Sequence, residues 1–153
     1  MTTVLLDAGG VILDESAQER CHAEIVVSLL TGHLPDYTID DYYTDIGEAV
    51  TSFCPNVYEF VLWKRTAPDT ARFDSLSRQH REEYRQSRPP LVLFPGIEGE
   101  IRQLAEHVRV VSAGQYGREL IAVLEAGGIA DCFASKLTQD DFTLTKPDPR
   151  YYA

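Results

Sequence analysis

The 153-residue chain is 44% hydrophobic and carries a formal net charge of −10, which suits one compact domain, or one domain with a small insertion, and excludes a disordered chain. That charge also argues against a broad nucleic-acid surface, since backbone phosphates demand a basic stripe, but it permits a small anionic substrate in a local positive pocket. No apolar run is long enough to span a bilayer and no basic stretch precedes the first one, so the expectation is a cytoplasmic protein with neither membrane nor nucleic-acid partners.

Residues 3–7 read as a first strand, a short apolar run ending on Asp7. From Asp14 to about Pro90 the pattern turns helical and mostly polar. Glu24 to Leu30 is the apolar centre of a first helix. Thr38-Ile-Asp-Asp41 has the form of a capping box in its acidic variant, opening a helix through Val50 and Phe53. Cys54-Pro55-Asn56 interrupts, Val57 to Lys64 gives a short helix with aromatics, and Asp69 to Arg88 a charged, solvated one. Arg88-Pro89-Pro90 stops it. Leu91 to Gly96 is an extended connection ending in a turn, after which Ile97, Ile101 and Leu104 share a helical face. Val108 to Val111 is a second core strand, ending at Ser112. Residues 117–127 form a helix with Leu120, Ile121 and Leu124 inward, closed by Gly127-Gly128. Phe133 to Leu137 is a short third strand. Asp148 can cap a last helix whose first turn holds Pro149.

Strands alternating with helices predict an α/β fold with a parallel, Rossmann-like sheet. The helical block is too long for one crossover, so the expected domains are a core of residues 1–14 and 91–153 and an inserted helical domain of residues 15–90. The C-terminal ends of parallel strands are where ligands bind. Asp7 stands at one such end, followed by Gly9 and Gly10, whose backbone can approach an anion closely because no Cβ blocks it. A carboxylate there can serve as a nucleophile, a magnesium ligand, or both. Ser112 ends the second strand on the same sheet edge, and Lys146 lies downstream beside a helix start. Taken singly, each has a plainer reading: a strand-to-turn exit for Asp7, a hydroxyl bonding its own backbone for Ser112, a surface lysine for Lys146.

Together, Val-Leu-Leu-Asp7-Ala-Gly-Gly-Val-Ile, Val-Arg-Val-Val-Ser112 and Lys146-Pro-Asp-Pro resemble the three successive motifs of the haloacid dehalogenase-like hydrolase superfamily. The likeness is to the subgroup with a helical cap inserted after the first motif, and it covers essentially the whole chain. It implies a magnesium-dependent phosphatase acting on a small phosphorylated metabolite. Asp7 would attack phosphorus to form an aspartyl-phosphate, and Lys146 would orient it and neutralise charge. Ser112, Ala113 and Gly114, with Gly9 and Gly10, would hold the phosphate, while Asp7 and the carbonyl of Gly9 would hold Mg²⁺. The same Asp7 could instead displace halide from a 2-haloacid without metal, or the core could be a non-catalytic binding module.

Two departures from the family pattern bear on this. The family's second aspartate, two positions after the nucleophile, protonates the leaving group and activates water; Gly9 stands there and can do neither. The acidic pair of the fourth motif does not occur before Ala153, so a C-terminally truncated core is expected, with strand 3–7 at an exposed edge. A fragment of a longer protein is one account, and a cap-swapped or edge-paired dimer the other; monomer and homodimer both remain open. His22, His33, His80 and His107 are scattered without ligand spacing. Asp40-Asp41 with Tyr42-Tyr43 reads as a solvated helix start. Tyr58, Phe60 and Trp63 read as filling a helical core, and Arg78, Arg81, Arg85 and Arg88 with Glu82 and Glu83 as a solvated face. Cys21, Cys54 and Cys132 fit no zinc or redox spacing and are expected as buried free thiols.

Overall fold

A computed structural model of the protein describes residues 2–113 and 116–138; Gly114, Lys146 and the expected helix start at Asp148-Pro149 lie outside the described residues. In chain order the elements are β1 (Thr3–Leu6), β2 (Leu13–Asp14), α1 (Ser16–Thr31), α2 (Ile39–Thr51), α3 (Val57–Thr66), α4 (Thr70–Ser87), β3 (Val92–Leu93), α5 (Ile97–His107), β4 (Arg109–Ala113), α6 (Glu119–Ala126) and β5 (Phe133–Leu137), with a 3₁₀ turn at Ala130–Cys132. No helix among the described residues is long and apolar enough to cross a membrane. Two compact units result, Met1–Glu15 with Pro90–Ala153, and Ser16–Pro89.

The first unit is α/β. Its parallel sheet has the order β1-β4-β5. β4 is central because it can be: Val110, Val111, Ser112 and Ala113 are all buried, the near-continuous small and apolar run of a strand covered on both faces. β1 alternates, with Thr3 and Leu5 exposed and Val4 and Leu6 half-buried, and it lies at an edge of the described sheet. Leu120 and Leu124 of α6, Ile101 of α5, Ile129 and Phe133 close over the sheet with Ala8, Ile12 and Leu13. The second strand starts one residue later than expected and runs on through Ala113, so Ser112 lies inside β4 rather than at its end.

A second, two-stranded ribbon has no counterpart in the sequence reading. Leu13–Asp14 pairs antiparallel with Val92–Leu93, Leu13 opposite Leu93 and Asp14 opposite Val92, and the Phe94 N–H donates to the Ile12 carbonyl at 3.0 Å. Each strand has only two residues, and their partners are remote in sequence, so no periodicity marks them. Two of the six residues in the supposed connection 91–96 are therefore strand.

The second unit is four helices around Ala23, Val26, Leu30, Tyr37, Tyr42, Val61, Leu62 and Leu76. The capping box forms: Asp41 N–H donates to Thr38 Oγ1 at 3.2 Å and Thr38 N–H to Asp41 Oδ2 at 2.9 Å. Helix α2 stops at Thr51, earlier than expected. Phe53, in the left-handed region at φ 54°, donates its N–H to the Val50 carbonyl, and Cys54 donates to that of Ala49, a Schellman closure that ends the helix. Phe53 is thus outside the helix and 93% exposed. Trp63 is 41% exposed rather than core, its ring set edge-on against Phe73. The three cysteines are free and half-buried rather than fully buried.

Two polar clusters sit inside this unit. Asp45 is fully buried and receives Arg65 through Nε at 2.6 Å and Nη2 at 2.8 Å, Lys64 Nζ at 2.9 Å and the Tyr37 hydroxyl at 2.9 Å. Burial pushes the Asp45 carboxyl up, but these donors outweigh it and hold it below the usual carboxylate range. His22 and His80, far apart in sequence, meet at 2.9 Å between Nδ1 and Nε2, with the His22 ring stacked between Tyr58 and Tyr84. Burial first, then His80 and Arg88, push His22 down to about 3.

Replacing Asp45 by Ala takes the carboxylate partner from Arg65 and leaves the Tyr37 hydroxyl without its acceptor, while Lys64 keeps Glu48, and we expect a loss of about 3 kcal/mol in urea unfolding. For His22 the depressed native pKa means that the unfolded chain takes up the proton first. Stability is full above the ordinary value of 6.5 and falls as pH drops below it. The fall is about 1.4 kcal/mol per pH unit from His22 alone. His22→Phe keeps the stacking and should remove that slope; a slope unchanged in the variant would place the titration elsewhere.

Candidate functional site

Register decides what the sheet edge carries. In the β1–β4 pairing Leu6 stands opposite Ser112, so Asp7 and Ala113 follow at the same C-terminal edge. Asp7 is exposed there, and Ala8, the next residue, is fully buried. The Ala8 carbonyl accepts from the N–H groups of Ile12 at 2.9 Å and Leu13 at 2.8 Å, which folds residues 8–13 into a tight turn. Gly10 makes the turn possible with φ 66°, a conformation that a Cβ would strain. Its N–H donates to the Leu13 carbonyl at 3.1 Å within the turn.

Ser112 is 0% exposed, and its hydroxyl has no hydrogen-bond partner among the described residues. The plainer alternative, a hydroxyl satisfied by its own backbone, is therefore not what the structure has. A buried hydroxyl left unsatisfied costs about 1–3 kcal/mol, a deficit that an incoming oxygen acceptor would remove. Ala113 is 2% exposed beside it. Lys136 stands opposite Ser112 on β5, but its ammonium is turned to the Ala130 carbonyl at 3.1 Å. Thr138, fully buried, follows at the same edge. Gly114 and Lys146 lie outside the described residues.

One acidic side chain was not singled out from the sequence. Glu15 follows the turn, and its carboxylate returns onto Gly9. A Cβ placed on Gly9 would lie 2.5 Å from Glu15 Oε2 and 2.9 Å from its Cδ and Oε1. Tyr116 donates its hydroxyl to Oε1 of the same carboxylate. Nothing local announces this contact; the one signal is a glycine where the resembling motif has an acid.

The Asp7 carboxylate and the Gly9 carbonyl would offer Mg²⁺ an all-oxygen donor set, the chemistry that ion prefers. Among the described residues no three His, Cys, Asp or Glu side chains come together as a metal cluster. Mg²⁺ usually keeps several waters and takes one or two carboxylates plus substrate phosphate, so this set fits that ion and not a dedicated cage. The helical unit has its own concavity of about 210 Å³, lined by Tyr42, Tyr43, Ile46, Val50, Val57 and Tyr58 with Glu19 at its wall.

No family model matches the sequence, and no curated protein does. Solved structures match its fold. A HAD-superfamily hydrolase of subfamily IA from Geobacter sulfurreducens is 16% identical with a TM-score of 0.58, over 99% of this chain and 69% of that one. A predicted phosphoglycolate phosphatase from Haemophilus somnus is 17% identical, TM-score 0.57, over 99% and 68%. YfnB from Bacillus subtilis, solved bound to magnesium, is 18% identical, TM-score 0.54, over 99% and 69%. The chain therefore has the fold of the HAD-superfamily hydrolases, an α/β core of Rossmann type; at these identities the likeness is one of fold.

The orphaned hydroxyl gives a direct test. Ser112→Ala should raise stability by up to about 1 kcal/mol in thermal melts, since it removes an unsatisfied buried group, while weakening the binding of inorganic phosphate about tenfold. A variant that loses stability would mean the hydroxyl is satisfied in the free protein.

Proposed function

We propose that this chain is a HAD-type phosphatase, hydrolysing a small phosphorylated metabolite with Asp7 as nucleophile and Mg²⁺ as cofactor. The observation that carries the reading is the buried Ser112 hydroxyl, without a partner among the described residues, in register beside the strand end that bears Asp7. A hydroxyl kept dry without a partner is suited to an anionic oxygen that arrives with substrate. The fold of the magnesium-bound and phosphatase-named structures supports the same reading.

In this reading the Asp7 carboxylate attacks phosphorus, the bond to the leaving oxygen breaks, and an aspartyl-phosphate forms that water then hydrolyses. Ser112 Oγ and the Ala113 N–H donate to phosphoryl oxygens as negative charge shifts onto them. The motif resemblance would add Gly114 to the phosphate donors and Lys146 as a positive charge, both outside the described residues. Bound by Asp7 and the Gly9 carbonyl, Mg²⁺ would supply charge compensation between the carboxylate and the phosphate dianion. The tight turn holds Gly9 and Asp7 in fixed relation, which orients the nucleophile.

Asp7→Asn should lower magnesium-dependent release of phosphate from an aryl phosphate by at least about 10³-fold, without loss of cooperative unfolding. Turnover that survives the substitution would remove Asp7 from the mechanism. Halide release from a 2-haloacid in EDTA would instead assign the same carboxylate to dehalogenation.

A further inference from the structure

Hydrolysis through an acyl-phosphate needs a group that Asp7 cannot be. An alkoxide leaving group must take up a proton as the P–O bond breaks, and the attacking water must lose one. Asp7 is consumed as nucleophile in the first half and is the leaving group in the second. The acid–base group must come within hydrogen-bond reach of the leaving oxygen and of the attacking water, near the carboxylate of Asp7.

The Glu15 carboxylate is brought onto the turn that follows Asp7. Gly9 is two residues after Asp7, so their Cα atoms lie at most about 7 Å apart. The Glu15 carboxyl lies where a Gly9 side chain would project, with Oε2 nearest to that position and 3.9 Å from the corresponding position on Gly10. Oε1 is taken up by the Tyr116 hydroxyl, which holds the carboxyl in place and leaves Oε2 turned toward the glycines. Glycine at position 9 and glutamate at position 15 are thus one spatial solution: a side chain on the first would expel the carboxylate of the second.

We propose that Glu15 is the catalytic acid and base of this site, a role that rests on the phosphatase reading. In the first half the Glu15 carboxyl gives its proton to the leaving oxygen as Asp7 bonds to phosphorus, yielding alcohol, aspartyl-phosphate and the Glu15 carboxylate. In the second half that carboxylate takes a proton from water as the water oxygen bonds to phosphorus and the bond to Asp7 breaks. Inorganic phosphate leaves, and Glu15 is again protonated.

The test is Glu15→Gln in the full chain, assayed with magnesium on glycerol phosphate and on p-nitrophenyl phosphate. On the alkyl ester, turnover should fall about 10²–10⁴-fold. On the aryl ester, whose leaving group needs little protonation, the first half should survive and the second fail. The expected record is a burst of about one nitrophenolate per chain, then slow turnover, with acid-trapped aspartyl-phosphate on the protein. Turnover within threefold of the parent on both esters would overturn the proposal. If Glu15→Gln does not fold, Gly9→Asp combined with Glu15→Ala puts a carboxyl back into the same space. Recovered alkyl-ester turnover supports the role, and a folded double variant without it overturns it. A parent chain that hydrolyses neither ester overturns the phosphatase reading itself, an outcome distinct from a parent that works while Glu15→Gln matches it.

Discussion

Parallel pairing of β1 with β4, Leu6 opposite Ser112, is the constraint on which the site depends. Parallel strands bring their C-terminal ends to one edge, so this register places the residue after β1, Asp7, and the end of β4, with Ser112, at the same edge although most of the chain lies between them. A slip of one residue would turn every side chain of β1 to the other face of the sheet. What prevents the slip is the burial of β4, whose Val110 and Ala113 are packed away from solvent beside an edge strand that offers only half-buried Val4 and Leu6. Holding the Ser112 hydroxyl dry without a partner among the described residues works against stability.

The turn of residues 8–13 converts this edge into a site. Three features act together: the Ala8 carbonyl gathers the N–H groups of the return, Gly10 takes the left-handed conformation, and the bare face of Gly9 admits the Glu15 carboxylate. The same turn delivers Leu13–Asp14 into the short ribbon with Val92–Leu93, which ties together the chain's departure from the α/β unit and its return. Local backbone geometry and the placement of an acidic group thus meet at one turn, and a side chain on Gly9 would displace the Glu15 carboxylate.

The helical unit is held differently. Its apolar core is interrupted by a fully buried Asp45 with three donors and by a His22–His80 pair between tyrosine rings. Such groups add less net stability than apolar packing of equal volume, but an alternative packing would leave them uncompensated. They also tie the unit to pH in one direction: acid loads His22 in the unfolded chain first, and so weakens the fold.

What the sequence determined by itself was local: the apolar run before Asp7, the Thr38–Asp41 box, the apolar run of β4, the helical periodicities and the order of elements that implies a parallel α/β sheet. These are written in neighbours a few residues apart. The capping box survived intact because both of its partners lie within one turn of helix. Tertiary structure decided the rest. The ribbon of Leu13–Asp14 with Val92–Leu93, the meeting of His22 with His80, the ion cluster at Asp45 and the contact of Glu15 with Gly9 and Tyr116 each join residues that no local period relates. Whether Ser112 is paired depends on every atom around it, and so does the space beside a glycine. Sequence placed Asp7 and Ser112 at strand ends; only packing could show which acidic group fills the gap at Gly9, because an absent side chain leaves a vacancy whose occupant is chosen by the fold.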